Sequence, residues 1–402
     1  MTIAVAQLGA RMNYAVPRIA AQHDLLQTFY TDFYGDKTPF GWLRHVPMPD
    51  RLPIHKLTTR YHPALPTRQV VHFPFFGLTY PYRQNRSRTQ EERLKNFIDG
   101  GQYFNRQVMC QMQKRPLPDM LYTFNLAGLE LLRFAKEYGI RTVHEQTIVN
   151  YRVERELIQR EQERFPRWQS GGWSGSYSDA YAEREEEEQL LADRIVCGSS
   201  FVKQHIEYPI KTHVIPYGVE EYAPAVRPTE RAASGPLRVL VVGYVNLRKG
   251  CEYTLEAAKQ LAGKATFRLV GDYRMTPKAV LADFRKHTEL TGSIPRMRVV
   301  DHYRWADVCL LPSVCEGSAT VTYEALQHGL PQIVTPNAGS LVSHGHDGFV
   351  VPPGDVASIV TYLDKLAGDE PLRLSIGCNA LQTAKEANCD AYAVRLSQFL
   401  RA

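Results

Sequence analysis

The feature that most constrains this chain is a rhythm. Short β-branched runs, each bounded by turn residues and followed by a helical pattern, recur along its length and restart once. Such alternation is the signature of βα units feeding parallel sheets. In the first half the runs predict strands at 3–8 (IAVAQL), 26–31, 69–75, 119–124, 141–146, 194–199 and 213–217. LRVLVVG at 237–243 begins the series again, with strands expected at 265–271, 297–300, 308–312, 331–335 and 348–352. Between the halves lies YAPAVRPTERAASGP, whose Pro, Ala and Ser content and missing apolar period mark a linker. The reading is therefore two Rossmann-like, doubly wound α/β domains, 1–222 and 237–389, joined by a linker over 223–236 and facing a shared cleft. A final helix over 390–402 is expected to pack back on the first domain. Ligands of open α/β sheets bind beyond the carboxyl ends of the strands, so the cleft is the place to look for a site.

Length and composition agree. A chain of 402 residues exceeds one ordinary core and suits two. Its 44% hydrophobic and 22% charged residues exclude disordered and collagen-like classes. No apolar run is long enough to span a bilayer, and the N-terminus, without a basic region before its short apolar run, reads as a strand rather than a signal peptide. Seven scattered cysteines with no C-x-x-C pair fit neither a disulfide framework nor a zinc ribbon. These features point to a cytoplasmic protein. A net charge of +6 is compatible with anionic ligands and gives no support to nucleic-acid binding.

The most informative stretch is ADVCLLPSVCEGSATVTYEALQHGLPQIVTPNAGS, residues 306–340. It reads as strand, loop, helix, strand, with a helix from about Ser318 to Gln327 that stops at Gly329 before Pro331. Glu316 precedes this helix and Glu324 lies within it. At helical rise the two are about 12 Å apart along the axis, roughly the span from a sugar to a ribose across a diphosphate. The helix start between them presents free N–H groups to an anion. Gly317, Ser318 and Ala319 are small enough for close backbone approach. Two glutamates eight apart also arise by chance, so the surrounding strand and loop carry the reading. A second element, GYVNLRKG at 243–250, ends the first strand of the second domain with Gly243 and places Arg248 and Lys249 before a helix. Both side-chain types bind phosphate well, although the bare pattern equally suits a helix start with two exposed bases.

Together these residues resemble glycosyltransferase family 4, whose members have the GT-B fold. The resemblance covers the second domain through GYVNLRKG, FRLVGD, ADVCLLPS, EGSATVTYE, GLPQIVT and DGFVVPPGD. It implies that Glu316 contacts the donor sugar, Glu324 holds the ribose hydroxyls, and Lys249 with a nearby Arg grips the diphosphate. Gly243, Gly317, Ser318, Ala319 and Thr320 would line the donor, and Asn337, Ala338, Gly339 and Ser340 look like the small-residue loop on the sugar side. One departure stands out: family members commonly carry Arg directly after the glycine of the first element, where this chain has Tyr244, leaving Arg248 as the replacement. In the first domain RTVHEQ, LADRIVCGS and HVIPYGV resemble matching segments and would put His144 near the reacting sugar. A lone His at a strand end is equally suited to a structural hydrogen bond. The first βα turn, QLGARMNYAV, lacks the Gly-Gly pair of many relatives, and offers Gly9, Arg11 and Asn13 to the acceptor side.

Three further features need weighing. VVHFPFFGLTYPYRQNRSR, residues 70–88, interleaves aromatic and basic side chains within the most basic part of the first half. It suits an anionic or lipid-linked acceptor, contact with the inner face of the membrane, or simply a buried strand followed by a solvated basic loop. The acidic run Glu185–Glu188 reads as a solvated helix face. His344 and His346 read as a turn rather than a metal site, because no third ligand converges on them.

The activity implied is metal-independent transfer from a nucleotide-sugar with retention of configuration. The chain has no Asp-x-Asp pair, so cations and the helix start would stabilise the departing diphosphate, and no metal or other cofactor is expected. A retaining glycosidase instead places two carboxylates about 5 Å apart, which the helical separation of Glu316 and Glu324 does not match. A nucleotide-sugar epimerase and a non-catalytic nucleotide-sugar binder remain as alternatives on the same architecture.

Overall fold

The computed structural model describes residues 1–37, 60–87, 89–168, 175–220 and 235–402. The expected linker lies almost entirely outside them. Thirteen strands are described, forming two wholly parallel sheets. The first holds β1 (Ile3–Gln7), β2 (Leu26–Thr31), β3 (Val70–His72), β4 (Met120–Phe124), β5 (Arg141–Gln146), β6 (Arg194–Cys197) and β7 (Thr212–Val214), in the order β3-β2-β1-β4-β5-β6-β7. The second holds β8 (Leu237–Val242), β9 (Ala265–Val270), β10 (Thr288–Gly292), β11 (Val308–Leu311), β12 (Gln332–Val334) and β13 (Gly348–Val350), in the order β10-β9-β8-β11-β12-β13. Each sheet reverses its winding beside its own first strand, and the crevice at such a switch point receives ligands. The central strands are buried along their whole length, as parallel strands covered on both faces must be.

The helices of the first domain are α1 (Ala15–Gln22), α2 (Pro74–Arg86), α3 (Gln90–Met112), α4 (Leu129–Glu137), α5 (Tyr151–Arg164), α6 (Ser176–Leu191) and α7 (Ser200–Gln204). The second domain carries α8 (Cys251–Gln260), α9 (Lys278–His287), α10 (Arg296–Trp305), α11 (Thr320–Gln327), α12 (Val356–Gly368) and α13 (Glu370–Thr383), and the chain ends in α14 (Cys389–Arg401). α14 returns to the first domain: Tyr392, Leu396 and Leu400 share a core with Ile3, Tyr14 and Ile19.

Three sequence expectations are corrected. Residues 297–300 are helix rather than strand. Val300 and Tyr303 of α10 bury on one face at helical spacing, and the edge strand is the polar TELTG segment, β10. Beyond the three residues of β3, the described part of the 70–88 stretch is dominated by helix α2 (Pro74–Arg86), with Pro74 at its first position, where a missing N–H costs nothing. The acidic run is only half solvated. Glu186 and Glu187 pair with Arg152 and Arg133 at the surface, whereas Glu185 and Glu188 are buried. Glu188 accepts the backbone N–H groups of Leu126, Gly128 and Leu129 at 2.7–2.9 Å, capping the start of α4. Burial nonetheless pushes its carboxyl up to about 8.

Candidate active site

The second-domain wall of the cleft is built by two loops that lock together. Beyond β8 the chain turns at Gly243, with φ +142°, where a Cβ would stand 2.9 Å from the Lys249 side chain. It returns so that the Arg248 carbonyl accepts from the Val314 N–H at 2.9 Å, while Gly250, at φ +66°, passes so close to Pro312 that no side chain fits. This docking brings Lys249 and Arg248 to Glu316. The Lys249 Nζ lies 2.7 Å from the Glu316 carboxylate and the Arg248 guanidinium 3.8 Å from it, with both Lys249 and Glu316 almost wholly enclosed. Arg248 also stands 4.0 Å from Glu154 on α5. Against the cost of its burial, Glu316 and Glu154 together hold the guanidinium above its ordinary value.

Gly317 follows. Its Cβ would fall 1.9 Å from the Thr147 carbonyl, and Ser199 donates to the Gly317 carbonyl, so first-domain backbone presses directly against this loop. Ser318 bonds to the Tyr323 hydroxyl at 2.6 Å and to the Gly339 carbonyl at 3.1 Å. The Ala319 N–H is taken by the Ala338 carbonyl. The Asn337 side chain donates to the Val314 carbonyl at 2.7 Å, and Gly339, at φ +60°, crosses beside Gly317. Asn337 and Gly339 thus brace the Glu316 loop from behind. α11 begins at Thr320 without a side-chain cap.

Glu324 lies one face along α11. Its carboxylate accepts from the Tyr303 hydroxyl at 2.8 Å and from Arg296 at 3.3 Å. Burial pushes it above the usual carboxylate range, opposed by the Tyr303 bond and by Arg296. Beside it opens a cavity of about 150 Å³ between the domains, lined by Glu324, Thr320 and Arg296 on one side and Met12, Asn13 and Glu220 on the other. Glu220 accepts from Asn13 at 2.7 Å and pairs with Arg18.

The first βα turn replaces its missing glycines with a left-handed turn: Met12, Asn13 and Tyr14 have φ of +45°, +51° and +61°. Non-glycine residues pay roughly 1–2 kcal/mol each for this conformation, and such strain collects at functional sites. It aims Asn13 into the cavity. Gly9, at φ +77°, is tied through its N–H to Asp32, and the exposed Arg11 lies over the Phe124 ring; neither lines that cavity.

His144 is the correction here. Its ring is fully buried beneath the sheet, bonded to the Thr123 hydroxyl at 3.1 Å and facing Glu188 at 3.8 Å. Burial lowers it to about 3, so it stays neutral and shut away from the cleft. Its neighbour Glu145 points the other way and accepts from the Tyr122 and Tyr217 hydroxyls. The sequence reading missed Glu154, Glu220, Arg296 and Tyr303. Each is brought in by tertiary packing, and only the absence of Arg at position 244 hinted that charge must come from elsewhere. Among the described residues no group of three or more His, Cys, Asp or Glu side chains is placed to hold a metal ion.

Residues 236–369 match the family model for glycosyl transferases group 1, a span that contains Lys249, Glu316 and Glu324. The second domain is a group 1 glycosyltransferase domain. The group 1 glycosyltransferase match is supported by relatives. The UDP-Gal:alpha-D-GlcNAc-diphosphoundecaprenol alpha-1,3-galactosyltransferase of Escherichia coli is 28% identical over 202 residues, 45% of this chain and 51% of that protein. The chain aligns with between 10% and 60% of the length of the curated relatives it matches. Among solved structures, sucrose-phosphate synthase from Thermosynechococcus elongatus superposes with a TM-score of 0.71 at 17% identity, over 100% of this chain and 98% of that one. HepE of Anabaena, solved in complex with UDP-glucose, gives 0.63 at 15% identity over 100% and 99%. These likenesses establish the two-domain GT-B fold around the glycosyltransferase domain.

Proposed function

We propose that the protein is a retaining, metal-independent glycosyltransferase of family 4 that moves a sugar from a nucleotide-diphosphate-sugar to an acceptor held by the first domain. The observation that carries this reading is the enclosed Lys249–Glu316 pair beside Arg248, set beyond the carboxyl ends of the second sheet and closed over by first-domain backbone. In this reading Lys249 and Arg248 stabilise the departing diphosphate, a charge-directed contribution realised most strongly as the glycosidic bond breaks. Glu316 orients the sugar and Glu324 the ribose. No protein nucleophile is invoked, and the leaving phosphate accepts the acceptor's proton. Exclusion of water by the Thr147–Gly317 contact protects the oxocarbenium-like sugar from hydrolysis.

UDP-sugars are the first donors to test, since HepE was solved with UDP-glucose and the E. coli relative is named for UDP-Gal; GDP-sugars follow. The same relative's name carries a diphosphoundecaprenol acceptor. A lipid-linked acceptor at the inner face of the membrane is in keeping with α2, whose Phe75, Leu78 and Tyr82 are exposed beside Arg83 and Arg86. The deciding experiment incubates the protein with UDP- and GDP-sugars, without acceptor and with metal chelated, and measures free nucleotide and sugar. Slow nucleotide release supports the transferase. Interconversion of sugars without release identifies an epimerase, and binding without either reaction a non-catalytic binder.

A further inference from the structure

Helix α5 belongs to the first domain by chain order and to the second by packing. Ile158 and the nearby Trp168 lie in the second domain's apolar core. The Tyr253 hydroxyl donates to Glu161, Arg164 donates to that hydroxyl at 3.3 Å, and the Trp168 indole donates to Glu252 at 2.5 Å. At the other end the Tyr151 N–H is held by Glu185 at 2.6 Å. Glu154 sits between these anchors, directed at Arg248. Two cations, Arg248 and Lys249, therefore face two carboxylates, Glu154 and Glu316, in one enclosure. When all four are ionised their charges cancel. A donor diphosphate placed on the same cations brings further negative charge, and one carboxylate must yield.

We propose that Glu154 is an internal competitor for the diphosphate: it occupies the face of Arg248 that a nucleoside diphosphate takes, and the nucleotide binds as Glu154 takes up a proton. This rests on the donor-site reading above. Glu316 is the poorer candidate to yield, because the Lys249 Nζ touches it directly at 2.7 Å, whereas Glu154 has only the Arg248 guanidinium at 4.0 Å. The anchors on both sides of Glu154 oppose withdrawal of the helix, which leaves neutralisation as the response. Burial already holds Glu154 above the ordinary carboxylate range, with Arg248 pulling it down and Glu316 pushing it up. The other groups facing it are Cys315 from the second domain, Tyr181 and Glu185 from α6, and Tyr151 on its own helix. Burial pushes Cys315 and Tyr181 well up, so both stay neutral, while Glu185, pushed up to about 7, titrates nearby and calls for a variant control.

The sign follows from linkage. Nucleotide takes Arg248 away from Glu154 and adds a negative neighbour, and both raise its pKa. Affinity therefore falls as pH rises between the free and bound pKa values, and is flat on either side. The test is calorimetric titration of UDP-glucose and GDP-mannose into the full chain across about pH 6 to 9, in buffers of different ionisation enthalpy. Wild type should take up a fraction of a proton per nucleotide-sugar bound and bind more weakly as pH rises. Glu154→Gln should bind about tenfold more tightly at the alkaline end, equivalent to one pKa unit, and lose most of the pH dependence. Binding with buffer-independent heat and one shared pH profile overturns this inference alone. Failure of both nucleotide-sugars to bind wild type at any pH overturns it together with the donor site. Should Glu154→Gln fail to fold, Glu185→Gln decides: proton uptake and pH-dependent affinity that persist in it support Glu154 as the group that titrates, and their loss overturns the inference.

Discussion

Glu324 is held by two side chains from another helix, Tyr303 and Arg296, and faces the first domain across a cavity. With the carboxylate pre-positioned in this way, Glu324→Ala should weaken UDP binding by about 1.5 to 3 kcal/mol, the usual contribution of hydrogen bonds to a charged group. Calorimetric titration checks this; unchanged affinity would mean that the ribose is held elsewhere. Residues of this kind divide by how far their partners lie along the chain. Glu316, Glu324 and Lys249 are legible because short loops at strand ends set their positions. Arg296 and Tyr303 are not, because their role depends on α10 lying beside α11. His144 was misplaced for a related reason: alternation along β5 puts it and Glu145 on opposite faces, and only the packed sheet decides that His144 lies beneath α6.

Among the described elements, α2 carries an exposed apolar face that the fold does not explain. Phe75, Leu78 and Tyr82 recur at helical spacing, with Phe75 84% and Tyr82 60% exposed, and Arg86 reaches the Tyr82 hydroxyl. Aromatics beside cations suit an anionic bilayer surface. The double substitution Phe75→Ser with Tyr82→Ser should abolish co-sedimentation with phosphatidylglycerol vesicles while moving stability by no more than about 0.5 kcal/mol, as exposed positions usually do. Equal sedimentation of the variant would remove α2 from the membrane. The sequence pattern concealed this helix because Pro81 interrupts it from within. The acidic run of α6 was misread for the opposite reason. Its composition says solvent, but Glu188 turns inward to satisfy amides at the start of α4, a need that arises only when the two helices pack.

Across the whole molecule the two domains are interlocked. α14 crosses back to complete the first core, and the arm through α5 to Trp168 crosses forward to complete the second. Trp168 packs against Phe284, with its indole N–H on Glu252. Trp168→Ala should cost about 3 to 5 kcal/mol, the range for emptying a buried aromatic site, and by freeing the arm should enlarge the radius of gyration of the unliganded protein. Urea unfolding and solution scattering read the two effects. A loss of stability with no expansion would show that the domains are kept together without the arm.

The number of domains, their doubly wound topology and the loop–helix unit bearing Glu316 and Glu324 were determined by sequence alone, because each arises from hydrophobic periodicity or contacts within a few tens of residues. Tertiary structure decided which side chains complete the site. Glu154 and Arg248 lie far apart in sequence, and nothing local relates them. They meet because Trp168 and Ile158 find apolar partners in the second domain, and hydrophobic burial, being non-directional, leaves no mark in the sequence of where it will carry a charge.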